Sequence, residues 1–111
     1  MMDDHFKIAT SLSVAGDGVT TFSVTLAGSL DLGSRDELRA ALLGIVQAGG
    51  GGRIVVDLSR VRFIDSEAIS ALIQSYLAAE RAGYSFRLIR AVGIVERVLT
   101  VVGLGYLLER P

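Results

Sequence analysis

The sequence has no cysteine, one histidine and a single lysine, Lys7. Without cysteine there is no disulfide framework and no thiolate metal site. His5 stands near the N-terminus with no second histidine, so neither a Ser-His-Asp triad nor a histidine-based metal centre can be assembled; it reads as a solvated tail residue. No run of Lys or Arg occurs and the net charge is −1, which leaves no electrostatic footprint for nucleic acid or an anionic membrane surface. No apolar stretch reaches transmembrane length, and Met1-Met2-Asp3-Asp4-His5 is acidic and polar where a signal peptide would be basic and then apolar. The expectation is a cytoplasmic protein without cofactor or metal, and not an enzyme.

What is present suits one packed domain. The chain has 111 residues, half of them hydrophobic and 21% charged with the signs nearly balanced, so a single domain is expected over 1–111, with 1–5 as a disordered tail. The mean hydropathy of +0.51 implies that some apolar side chains stay on the surface and could form a docking patch.

Phe6 to Val14 and Val19 to Leu30 flank the turn sequence Gly16-Asp17-Gly18 and read as a β-hairpin. Ser34 with Glu37 three residues on forms a capping box ahead of Leu38, Leu42, Ile45 and Val46, a helix to about Ala48. Gly49 to Gly52 then connects to a buried strand, Arg53 to Leu58. From Ser66, the residues Ile69, Leu72, Ile73, Tyr76 and Leu77 mark one face of a second helix stopped by Gly83. Ser85 to Ile89 is a strand, and Val95, Val98, Leu99 and Val102 form the inner face of a third helix closed by Gly103. The order β, β, α, β, α, β, α makes an α/β domain: a mixed sheet with an N-terminal hairpin, later strands parallel, and helices packed against it.

The chemistry-bearing candidates are few. Gly49 to Gly52 lacks the Gly-Lys-Ser/Thr helix start of a phosphate loop and reads as a flexible connection. Asp57, near a strand end, could suggest an aspartyl phosphoacceptor, but no lysine follows Lys7; capping a turn at Leu58, Ser59 and Arg60 is the favoured reading. Asp65-Ser66 sits at a strand-to-helix connection, where unpaired amides and the positive end of the helix dipole converge. A phosphate on Ser66, bringing about −1.5 to −2 charges, would be tolerated there, since a helix N-terminus favours an anion by roughly 0.3 to 1 kcal/mol. Spacing alone favours the plainer reading, in which Asp65 or Ser66 caps the helix.

The run Asp57-Leu58-Ser59 to Asp65-Ser66 and the apolar helix after it resemble the signature of anti-sigma-factor antagonists, the STAS domain family, whose regulatory phosphorylation site is the serine directly after the aspartate. Ser66 matches that serine. Leu26-Ala27-Gly28-Ser29-Leu30-Asp31 and Val98-Leu99-Thr100-Val101-Val102-Gly103-Leu104 resemble the family's strand-end segment and C-terminal helix, so the likeness spans nearly the whole chain. The resemblance implies a bacterial partner switch: the unphosphorylated protein binds an anti-sigma factor, commonly a serine kinase, and frees the sigma factor for transcription. Phosphorylation of Ser66 breaks that complex and a serine phosphatase resets it. By the same resemblance Asp31, Asp65, Ser66, Glu67 and Ile69 would contact the partner, Asp31 lying near Ser66 and Asp65 orienting the serine. Asp31 reads equally well as an ordinary polar loop residue.

Glu67-Ala68 departs from the family's usual hydroxyl residue and glycine. Glu67 would set a negative charge beside Ser66, and Ala68 a methyl group where a partner's backbone would approach. The departures fit either a member whose serine is not phosphorylated or one matched to an unusual kinase, and Glu67 is the feature that raises the alternative of an unphosphorylated STAS scaffold subunit in a signalling (stressosome-like) or transport assembly.

Overall fold

The computed structural model describes residues 5–109. Of the expected tail, residues 1–4 lie outside the described residues, and His5 is exposed. The chain folds as β1 (Lys7–Val14), β2 (Thr20–Leu30), α1 (Arg35–Ala48), β3 (Gly52–Ile64), α2 (Ser66–Arg81), β4 (Tyr84–Ile89), α3 (Gly93–Val101), a 3-10 turn (Gly105–Leu107) and β5 (Leu108–Glu109). The strands form one sheet in the order β1-β2-β3-β4-β5. The β1–β2 hairpin is antiparallel and every later pairing is parallel, as crossovers through α1 and α2 require.

Alternation in the strands decides which side chains enter the core. Val24, Leu26 and Leu30 of β2, Ile54, Val56 and Leu58 of β3 and Phe86 and Leu88 of β4 are buried together with Leu38 and Leu42 of α1 and Ala68, Ile69, Leu72 and Ala79 of α2. Helices α1 and α2 pack on each other, while α3 packs on β3 through Val95 and Leu99. Gly83 follows α2 with φ of 87°. After α3, Gly103 N–H donates to the Thr100 carbonyl and Leu104 N–H to that of Leu99, a closed Schellman stop over two buried leucines.

Several expectations are corrected. Leu77 and Val102 are 42% and 48% exposed: Leu77 is turned away from buried Ser75 and Ala79 on α2, and Val102 follows the last residue of α3. Ser34 does not cap α1: its side chain makes no cap hydrogen bond. Instead the buried hydroxyl accepts from Asp31 N–H at 2.9 Å and lies 3.2 Å from the Ser29 and Asp31 carbonyls, closing the β2–α1 loop on itself. The strand expected to stop at Leu58 runs on to Ile64, and no turn forms at Ser59-Arg60. Two register shifts absorb those polar residues: Asp57 pairs with Thr25 but Arg60 with Ala27, and Val61 pairs with Gly28 but Phe63 with Ser29. The Asp57 carboxylate accepts from Ser59 N–H at 2.8 Å, so it holds the first of these bulges.

Gly52 is fixed by close approach. Its φ is 118°, and a Cβ there would lie 2.4 Å from the Thr20 carbonyl oxygen, so the α1–β3 connection can enter the sheet only with glycine at this point.

Candidate functional site

Leu30 and Ile64 are register partners at the ends of parallel strands, so the β2–α1 loop and the β3–α2 junction leave the same edge of the sheet side by side. Backbone bonding joins them: Asp65 N–H donates to the Leu30 carbonyl at 3.0 Å. The Asp65 side chain joins them again. One carboxylate oxygen accepts from Ala68 N–H at 3.0 Å and caps α2; the other accepts from Leu32 N–H at 3.2 Å in the neighbouring loop. Asp65 is thus the residue that caps the helix, and Ser66 is its first residue.

Ser66 is exposed, at the N-terminus of a 16-residue helix whose first amides have no intrahelical acceptor. Leu32, across the junction, is 59% exposed, giving an apolar side chain to the same edge. Asp31 is half-buried and turned into its own loop, accepting from Gly33 N–H at 3.0 Å. The structure therefore brings together the loop of Asp31 and the residues Asp65, Ser66 and Glu67.

Glu67 is not a bare charge. Its carboxylate is bonded to the Arg35 guanidinium, which also holds Asp36 at 3.2 Å. The Glu67 pair, then that with Asp36, raises the guanidinium above its ordinary pKa, so Arg35 stays charged. This arrangement offsets the anion beside Ser66 and ties α1 to α2.

Two expectations about the docking face are corrected. Ile69 is 8% exposed and points into the core, because it lies three residues into the helix on the same side as Leu72. Ala68 is fully buried, so its methyl packs inside and does not obstruct an approaching backbone. Arg35 and Leu32 join the site without a signal in the sequence: Arg35 is one charge in an ordinary polar helix start, and Leu32 one apolar residue in a loop. Among the described residues, no group of three or more His, Cys, Asp or Glu is placed to hold a metal ion, and no helix is long and apolar enough to cross a membrane.

Residues 12–109 match the family described as Mlab, STAS domain. Among solved structures, the anti-sigma factor antagonist SpoIIAA in its unphosphorylated form is 24% identical, with a TM-score of 0.73 over 91% of this chain and 86% of that one. An anti-sigma factor antagonist from Mycobacterium paratuberculosis is 23% identical, with a TM-score of 0.71 over 90% of this chain and 81% of that one. The murine anion transporter Slc26a9 is similar over 18% of its own chain, covering 89% of this one at 17% identity and a TM-score of 0.70. At these identities the structural likenesses carry the fold. No curated protein matches the sequence.

Proposed function

The chain belongs to the STAS domain family, and from that premise we propose that it is an anti-sigma factor antagonist, a binding protein whose hold on its partner is switched by phosphorylation of Ser66. The observation that carries this reading is the setting of Ser66: a solvent-exposed hydroxyl on the first residue of α2, with the preceding Asp65 already serving as cap. Because the cap is Asp65, modifying Ser66 removes no structural bond, and the added dianion meets the positive end of the helix.

The partner in this reading is an anti-sigma factor that is also a serine kinase. It transfers the γ-phosphoryl group of ATP to Ser66 Oγ, the hydroxyl proton is lost and ADP leaves; a serine phosphatase reverses the modification. Exposed Leu32, Asp31 in the adjoining loop, and Asp65, Ser66 and Glu67 form the contact edge. A dianion introduced into a desolvated contact costs roughly 2 to 5 kcal/mol, on the order of a hundred- to a thousand-fold in affinity. A cytoplasmic setting, where ATP is available, belongs to the same proposal.

The test is intact mass after incubation with the candidate kinase and Mg-ATP, with Ser66→Ala as control. Gain of one phosphate by wild type alone supports the switch. A stable complex with no gain favours the second reading, a constitutively docked scaffold subunit of a signalling or transport assembly. Glu67, standing where the family's usual hydroxyl residue would be, is the feature that favours that second reading.

A further inference from the structure

The two edges of the sheet differ. At one edge β5 has two residues, whereas β1 at the other has eight. Edge strands are commonly shielded by an interior charge, a proline, a bulge or a covering segment. The register of β1 with β2 is unbroken, the strand contains neither proline nor glycine, and its one charge, Lys7, stands at its start. Nor is it covered among the described residues: every residue of β1 except Ile8 is exposed, Leu12 and Val14 at 63% and 67%.

The hairpin turn shows which backbone groups face the open edge. Ala15 N–H donates to the Val19 carbonyl at 3.0 Å, continuing the β1–β2 register. In an antiparallel pair such positions alternate, so Ser13, Ser11, Ala9 and Lys7 also direct their backbone groups at β2. The N–H and C=O groups of Ile8, Thr10, Leu12 and Val14 therefore point outward, and no strand pairs with them among the described residues. The side chains of the same four stand on the helix side of the sheet, opposite Leu26, Val24, Phe22 and Thr20.

We propose that this edge is a dimerisation site, on which a second copy of the chain adds its own β1 antiparallel across a two-fold axis at Ser11. One register alone returns the four outward residues to each other: Ile8 opposite Val14 of the second copy and Thr10 opposite its Leu12, with Ser11 facing Ser11. That register forms about eight main-chain hydrogen bonds and gives the exposed Leu12 and Val14 methyl-bearing neighbours on the same face. Charge also favours a second copy. The two Lys7 residues end roughly 27 Å apart, each opposite the other copy's Ala15 and beside the turn that holds Asp17, so no like charges meet. Asp17 stays ionised there, held below the ordinary carboxylate range first by Val19 N–H and then by Arg53. The axis stands perpendicular to the sheet, so the two Ser66 edges face opposite ways and both remain open; the dimer does not depend on them. Eight residues a side is fewer than the roughly 20 to 30 of a standard interface, so the dimer is a weak one, with Kd on the order of 10 to 100 μM.

The experiment is sedimentation equilibrium of the full chain from about 10 μM to 1 mM, a range that spans the expected Kd. The mass of the wild type should rise from that of the 11.8 kDa chain toward twice that value. Leu12→Lys places a charge on the open edge at an exposed position and should weaken the dimer about tenfold or more, with circular dichroism checking that the fold persists. The register is tested by single thiols in a chain that has no cysteine of its own. Opposed Ser11 residues form a non-hydrogen-bonded pair with Cα atoms about 4.5 Å apart, within disulfide reach, whereas the two Ser13 residues are offset by roughly 14 Å. Under mild oxidation Ser11→Cys should therefore cross-link at least about ten times faster than Ser13→Cys. Faster linkage through Ser11→Cys together with a dimer weakened by Leu12→Lys supports the site. A wild type that stays monomeric at 1 mM overturns it and leaves the edge to a strand of another protein. A dimer unchanged by Leu12→Lys, or equal cross-linking of the two thiol variants, overturns it as well.

Discussion

Replacing Asp65 separates two bonds made by one carboxylate. In Asp65→Ala the Ala68 amide loses its cap, worth about 1 kcal/mol, and the exposed Leu32 amide loses a longer bond worth about 0.5 to 1 kcal/mol. The expected loss is about 2 kcal/mol, and for a chain of this length about 4 °C of Tm follows each kcal/mol, giving a drop near 8 °C. Asp65→Asn keeps an amide oxygen for the cap, since Asn caps helices as well as Asp, but has no second oxygen for Leu32. It should lose about half as much. Ser66→Ala, which removes no hydrogen bond among the described residues, should stay within about 0.5 kcal/mol of wild type. Urea denaturation of the three variants, followed by circular dichroism, measures the series. Equal stability of wild type and Asp65→Ala, or a Ser66→Ala loss as large as that of Asp65→Ala, would refute the assignment of the cap to Asp65.

Three further outcomes follow from the packing and the ionisable groups. Gly52→Ala should destabilise by roughly 2 kcal/mol or more, because its Cβ would meet the Thr20 carbonyl oxygen at 2.4 Å with φ at 118°; denaturant midpoints test this. Leu72→Ala, fully buried, should cost about 2 to 5 kcal/mol, while Leu77→Ala, 42% exposed on the same helix, should cost under about 1 kcal/mol in the same assay. The Tyr76 phenol is pushed up to about 12, first by its 2.6 Å hydrogen bond to Glu80, so the fold favours the protonated form. That contribution is complete below the unfolded value near 10 and is lost as pH rises through about 12. Glu80→Gln should bring the late tyrosine step in an ultraviolet pH titration back toward the ordinary range, and an unchanged step would contradict the role of Glu80.

The hairpin, the three helices and the parallel order were legible in the sequence because each rests on a repeating apolar pattern or a glycine stop. Leu38 and Leu42, or Val95 and Leu99, can face a core in only one way. The length of β3 was not legible, because Ser59-Arg60 and Arg62 interrupt the apolar alternation like a turn, whereas the fold keeps them in the strand as bulges. The 3-10 turn and the two residues of β5 are too short to leave a period. At the candidate site, Asp65-Ser66 was visible as a helix start, but which of the two caps depends on where the two loops meet. The partnership of Glu67 with Arg35 joins residues 32 positions apart, and no local pattern announces it. Ser34 shows the reverse case: its spacing to Glu37 satisfies the capping-box pattern, yet its hydroxyl is used to close the preceding loop.

The most direct measurement is the affinity of wild type, Ser66→Ala and Ser66→Asp for the proposed anti-sigma partner, taken with the unfolding free energy of each. The switch at Ser66 predicts tight binding by wild type and Ser66→Ala, weakening of tenfold or more in Ser66→Asp, and stabilities within about 0.5 kcal/mol of one another. Equal affinity for all three proteins would contradict it.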